Sequence, residues 1–418
     1  MRYKLLGKSG LRVSEICLGT MTFGEEFGWG ASYEESRKIF DAFMNAGGNF
    51  IDTANEIYTG GTSETYLGDF IAADRERIVL ATKYTDSLST TDPNRAGNQR
   101  KSMIQSVDRS LKRLKTDYID LFWLHAWDFM TPVEEVMRAF DDLVRAGKVL
   151  YIGVSDAPAW VISRANMLAE LRGWTPFVAM QIEYSLIERT AERELLPMAK
   201  ELDIGVLGWS VLASGILTGK YNKQAASGES RRLDTAQFYE LSERNLSIAD
   251  TVVQVAEEIG RNPSQVAINW VRSKGVIPIL GATKVSQIQD NLTCLDFQLS
   301  PEHIQKLDEV SKIELGFPHD FLAKTRGATF GGTFELIDNH RSWPPQEGER
   351  GREGDFTHIL HHTLRMEFWG YKNEVRLRGL TENQDFGNPR RRVRVCVSAV
   401  STARCKIWVS IVFNQEPL

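Results

Sequence analysis

The chain alternates between short runs that are apolar throughout and longer stretches in which apolar positions recur every three to four residues. The short runs are "SEICLG", "NFID", "RIVLATK", "YIDLFWLH", "VLYIGVS", "FVAMQIEYS", "IGVLGWS" and "VIPILG", and each reads as a strand buried on both faces. Amphipathic stretches follow at 33–47, 63–73, 99–114, 132–146, 157–171, 190–203, 244–260 with 263–273, and 284–293, and each predicts a helix. Strands with no polar face, joined one by one through helices, are parallel. Eight such units in about 300 residues fit a closed (β/α)8 TIM barrel of the α/β class. An open doubly wound sheet is the alternative, but "CLGTMTFG" after the first strand lacks the glycine spacing of its phosphate loop. Ahead of that strand, "YKLLGKSGLRVS" sets Gly and Ser between two β-like runs and predicts an N-terminal hairpin closing the bottom of the barrel.

The rhythm stops near residue 341, which divides the chain into a barrel over 1–341 and an atypical C-terminal extension over 342–418. "SWPPQEGERGREGDF" brings two prolines and a charge run. Beyond it, "NPRRRVRVCVSAV" and "KIWVSIVF" read either as a β-hairpin or as part of a segment without fixed structure, accessory to the barrel in both cases.

The overall charge of −5 gives no general attraction for nucleic acid or for an anionic membrane. No run of 18 apolar residues and no signal-like N-terminus is present, so a cytoplasmic protein without a membrane partner is expected. Cys17, Cys294, Cys396 and Cys405 show no metal-binding spacing, and His358, His361 and His362 lack further ligands; no metal is expected.

In a barrel of this kind the active site lies at the C-terminal ends of the strands. Polar residues stand where the apolar runs stop: Asp52, Lys83, His125, Ser155 with Asp156, Gln181, and Trp209 with Ser210; Gly281 ends the eighth run. Lys83 is the sharpest of these, because a lysine closing a buried strand needs an anionic partner, and Asp52 on the neighbouring strand supplies one.

The motifs "NFIDTANEIYTGGTSE", "VLATKY", "DLFWLHAWD", "YIGVSD", "MQIEYS", "GWSVLASGILTGKY" and "GATKVSQIQDN" resemble, in order, those of the aldo-keto reductases. The resemblance covers about residues 1–341 and is nearest to the bacterial and potassium-channel β-subunit-like branch. It implies a catalytic set of Asp52, Tyr58, Lys83 and His125. One departure stands out: five residues separate Asp52 from Tyr58 where the family usually has four, enough to move the phenol by about 3 Å.

Reduction of an aldehyde or ketone by a nicotinamide needs hydride delivery to carbon and a proton for the developing alkoxide. Tyr58 would be the acid and Lys83 would ease its proton loss. Asp52 would hold Lys83, and His125 would donate a hydrogen bond to the carbonyl. The resemblance implies NADPH as cofactor, with NADH less favoured; Thr283 stands where the family often has arginine, which narrows the preference for NADPH over NADH. Ser155, Asp156 and Gln181 would meet the carboxamide, Trp209 would stack on the nicotinamide, and Gly19, Thr20 and Met21 would contact the same end. The segment containing Ser210, Val211, Leu212, Ser214, Gly215 and Leu217, together with Lys220, would hold the pyrophosphate. Gly281, Thr283 and Lys284 would meet the 2′-phosphate end, with Gln287, Asp290 and Asn291 towards the adenine.

Phe23, Phe27, Trp29 and Trp127 follow strands on the catalytic face and are candidate walls for a small carbonyl substrate. The long polar segments after Lys83 and from Asn222 to Arg244 suit lids. A nicotinamide-binding regulatory subunit acting through a protein partner is the alternative function. Oligomeric state is open.

Overall fold

Side-chain alternation along eight barrel strands decides where everything else sits. A computed structural model of the chain describes residues 1–221 and 239–337. The expected extension over 342–418 and most of the segment from Asn222 to Arg244 lie outside the described residues.

Strands β1 (Tyr3–Leu5) and β2 (Arg12–Ser14) form the predicted antiparallel hairpin. Lys8 N donates to Asp203 O at 2.8 Å, which seats the hairpin against the turn that enters the seventh barrel strand. The barrel strands are β3 (Cys17–Gly19), β4 (Phe50–Asp52), β5 (Val79–Tyr84), β6 (Ile119–Leu124), β7 (Val149–Ser155), β8 (Phe177–Glu183), β9 (Gly205–Trp209) and β10 (Ile277–Leu280). They pair in parallel and in chain order, and β10 closes on β3, so the barrel has no free edge.

The helices begin where the sequence offers caps. Ser32 accepts from Glu35 N at 3.3 Å to start α1 (Tyr33–Asn45), and Gln99 accepts from Ser102 N at 2.6 Å to start α3 (Arg100–Leu114). Between them lies α2 (Thr62–Phe70); after α3 come α4 (Val133–Arg145) and α5 (Ala159–Arg172). The expected helix over 190–203 is shorter: Pro197 is tolerated only in a first turn, so α6 spans Leu195–Glu201 after a separate turn of 3-10 helix. Then follow α7 (Glu243–Ile259), α8 (Pro263–Ser273) and α9 (Val285–Leu292). Two further helices, α10 (Pro301–Val310) and α11 (His319–Thr329), were not expected from the strand-helix rhythm. Ser300 caps α10 with Pro301 in its first turn, a start signal that needs no preceding strand.

The core has two parts. Phe50, Ala81, Leu121, Trp123, Ala179 and Leu207 fill the barrel interior, and a larger set, including Ile39, Phe43, Phe122 and Phe140, packs the strands against the helices. Gly153 makes room for the largest interior ring, since a Cβ there would collide with Trp123.

Candidate active site

Residues two apart on a strand face the same side. Phe50, Ala81, Trp123, Ala179 and Leu207 point into the barrel, and one step of two beyond each stands Asp52, Lys83, His125, Gln181 or Trp209. The register staggers most of them by two residues from one strand to the next: Asp52 is paired with Ala81, Lys83 with Trp123, and Glu183 with Trp209, while Ser155 is paired directly with Gln181.

Lys83 is fully buried and donates to the Asp52 carboxylate and, at 2.7 Å, to Thr53 O. Gln181 Nε2 donates to Asp52 Oδ1 at 3.0 Å, so each carboxylate oxygen receives a donor. Burial pulls the Lys83 ammonium down, but Asp52 and Tyr58 outweigh it and hold its pKa above the ordinary value. Burial also pushes the Asp52 carboxyl up against the pull of Lys83; we treat the pair as charged because the donors converge on the carboxylate.

The extra residue before Tyr58 is taken up in a turn, closed by Tyr58 N donating to Asn55 O at 3.1 Å. The Tyr58 ring thereby stands with its centroid 5.1 Å from Lys83 Nζ and edge-on to His125, with ring centroids 6.1 Å apart. Burial raises the Tyr58 pKa, and Lys83 offsets only part of the rise. The ammonium therefore acts in the expected direction without bringing the phenol below its usual range. His125 is pushed down to about 3, first by burial and then by Lys83, so its imidazole is neutral. Its Nδ1 lies 3.1 Å from Asp86 Oδ2, at an angle that makes no hydrogen bond.

Above these groups opens a cavity of about 760 Å³, with Asp52, Tyr58 and His125 in its wall. Near them, Gly19, Thr20, Met21, Asp156, Gln181 and Trp209 line it. Further along, Ser210, Val211, Leu212, Ser214, Gly215 and Lys220 form one side, and Gly281, Thr283, Gln287, Asp290 and Asn291 the other. Ser155, just before Asp156, is buried, with its hydroxyl beside the Asp156 carboxyl. Asp156, with φ of +40°, accepts from Trp209 Nε1 at 3.3 Å; its carboxyl is pushed up to about 6 by burial, against the pull of Trp209 and Ser155.

Three consecutive residues, Ala213, Ser214 and Gly215, have φ of +47°, +53° and +90°, and this left-handed run folds the chain back on itself. Gly215, whose φ of +90° suits glycine, has Lys220 Nζ directly over its backbone: a Cβ there would lie 2.9 Å from it. The Trp209 ring and Gln181 amide at one end of the cavity and a glycine turn under an ammonium further along fit a nicotinamide dinucleotide.

Several expected residues stand elsewhere. Phe23 is a core residue, fully buried with its ring 6.2 Å from Phe70, and is no substrate wall. Trp127 packs on the outer core and Leu217 is wholly buried in it; neither lines the cavity. Lys284 is also off the wall, at the N-terminus of α9. There Val285 N donates to Glu35 Oε1 at 2.7 Å, while Gln287 Oε1 accepts from Thr283 N and Lys284 N at 2.9 and 3.2 Å. Trp29 does line the cavity, with its ring 5.4 Å from Phe27. Thr22, Gly28, Thr218 and Ser264 are wall residues that sequence reasoning missed; Thr22 had a visible neighbour in Met21, but Ser264 is at the start of a helix far from any strand end.

The Aldo/keto reductase family profile matches residues 15–312. The chain belongs to the aldo/keto reductase family. It is 38% identical over 335 residues to norsolorinic acid reductase of Aspergillus flavus, covering 77% of this chain and 84% of that one. It is 38% identical over 362 residues to the NADP(+) aryl-alcohol dehydrogenase of Phanerodontia chrysosporium, covering 82% and 93%, and 35% identical over 369 residues to an aryl-alcohol dehydrogenase of Pestalotiopsis microspora, covering 83% and 94%. This aldo-keto reductase is thus an NAD(P)H-dependent oxidoreductase of carbonyl compounds. Among the described residues no helix is long and apolar enough to cross a membrane, and no cluster of side chains suits a metal ion.

Proposed function

We propose that the protein reduces aromatic aldehydes or ketones to alcohols with NADPH, and runs the reverse oxidation of aryl alcohols. The observation that carries the reading is the buried Lys83 between the Asp52 carboxylate and the Tyr58 ring at the floor of the cavity.

NADPH, when bound, supplies the hydride. Tyr58, protonated at neutral pH, gives its proton to the carbonyl oxygen as charge develops there, and the phenolate left behind is stabilised by Lys83. An ammonium about 4 Å from that phenolate is worth roughly 4 kcal/mol at an effective dielectric of 20. Asp52 keeps Lys83 charged and fixed in place. His125, neutral and edge-on to Tyr58, donates a hydrogen bond that orients the carbonyl.

Ser155 and Gln181 hold the carboxamide, Trp209 covers one nicotinamide face, and the turn at Gly215 with Lys220 holds the pyrophosphate. Aryl substrates are supported by the flat face that Trp29 offers to a ring in the cavity wall and by the activities for which the dehydrogenases above are named. The full set of proton-transfer groups favours an enzyme over a regulatory subunit. NADPH oxidation with substituted benzaldehydes, aliphatic aldehydes and quinones tests the reading: cofactor binding without turnover on any of them would overturn it. We further propose a cytoplasmic location and no nucleic-acid partner.

A further inference from the structure

The turn that absorbs the extra residue before Tyr58 carries a carboxylate that the chemistry above does not use. Glu56 is 7% exposed. A carboxylate leaves water only where other charges repay its lost hydration, and here three arginines do so. Its Oε1 accepts from Ser87 Oγ at 3.2 Å and from Arg95 Nε at 3.3 Å. Its Oε2 lies 3.5 Å from Arg109 Nε and 3.9 Å from Arg113 Nη1, ion pairs without hydrogen-bond geometry.

The same patch reaches the strand that carries Lys83. Arg113 Nε donates to Glu64 at 2.6 Å, and fully buried Glu64 accepts at 2.6 Å from Thr82, the residue before Lys83. Asn55, on the other side of Glu56, accepts from Ile57 N at 3.1 Å and donates to Asp86 O at 2.8 Å. Asn55 thus shapes the turn from within, while Glu56 ties it outward to the loop after β5 and to α3.

We infer that Glu56 is a positioning residue: its carboxylate, seated among Arg95, Arg109 and Arg113, removes the slack of the lengthened loop and keeps the Tyr58 phenol on Lys83. One added residue gives a loop about 3 Å of extra reach, and a misplacement of about 1 Å in a reacting group costs up to a hundredfold in rate. The inference rests on the reading of Tyr58 as the acid.

The test compares the full-length protein with Glu56→Gln, Glu56→Asp and Arg109→Gln. Turnover of a benzaldehyde, NADPH dissociation constant, melting temperature and ultraviolet titration of the Tyr58 phenol are measured, each phenol curve taken as a difference from the matching Tyr58→Phe protein. Glu56→Gln should lower kcat about thirtyfold, with NADPH affinity and KM within about twofold and the phenol titrating at higher pH as Lys83 recedes. Glu56→Asp should recover part of kcat, and Arg109→Gln, on a partly exposed side chain, should give a smaller loss in the same direction. An unchanged kcat per folded molecule with only a lower melting temperature would reduce Glu56 to a structural residue and overturn the inference. If the parent turns over no carbonyl, the reading of function fails, and the phenol titration alone then decides on Glu56: an unmoved curve in Glu56→Gln overturns the inference.

Discussion

Lys83 holds its ammonium 5.1 Å from the centre of the Tyr58 ring while donating to Asp52, so one fully buried cation links the phenol to the carboxylate. Removing the phenolic hydroxyl separates proton supply from binding. Tyr58→Phe should keep NADPH affinity within about twofold and lower carbonyl reduction by at least about a hundredfold, the scale of losing a placed acid. Steady-state rates beside fluorescence titration of NADPH check this. Near-parental turnover would assign the proton to another group.

The lysine itself should matter to the fold as well as to the rate. Lys83→Met leaves the Asp52 carboxylate buried without its cation, and stranding a buried charge costs about 3–5 kcal/mol. The double variant Asp52→Asn with Lys83→Met should regain much of that stability and none of the activity. A denaturation cycle over the four proteins decides the matter; additive losses in the double variant would mean that the two side chains are not coupled.

Most of this arrangement was open to inspection in the sequence, because a parallel strand has a period of two and stops at its functional end. Asp52, Lys83 and His125 each stand two residues past an apolar residue that faces the barrel interior, and any strand assignment carries them to the same rim. What escaped depends on contacts between distant parts of the chain. Phe23 follows a strand as a pocket residue would, yet Phe70 draws it into the core. Glu35 meets the N-terminus of α9 across 250 residues, and no local pattern announces it. The raised pKa of Tyr58 comes chiefly from burial, which spacing along the chain does not reveal.

Glu35 bears on cofactor choice. Its carboxylate occupies the Val285 amide beside Thr283 and Lys284, where a 2′-phosphate is expected, and backbone donation from Val285 holds its pKa below the ordinary value. A carboxylate at that place opposes a second anion. Glu35→Gln should therefore tighten NADPH more than NADH, and Lys284→Ala should weaken NADPH more than NADH. Dissociation constants for both cofactors with each variant give the answer, and equal changes for NADPH and NADH would put the 2′-phosphate elsewhere.

The last prediction follows from Asp156, whose carboxyl is pushed up to about 6 by burial beside Trp209 and Ser155. In the unfolded chain an aspartate titrates near 4, so the folded protein holds this proton more tightly. The stability that the proton contributes is fully present below pH about 4 and is lost as the pH rises through about 6. Asp156→Asn cannot lose that contribution. The variant should match its parent in melting temperature near pH 4 and exceed it at pH 7, by a modest margin because the side chain faces the open cavity and water screens it. The amide also keeps an acceptor for Trp209 Nε1, so the comparison isolates the charge. Melting curves of both proteins across this range are the measurement, and an offset that stays constant with pH would show that the Asp156 carboxyl titrates in the folded protein as it does in the unfolded chain.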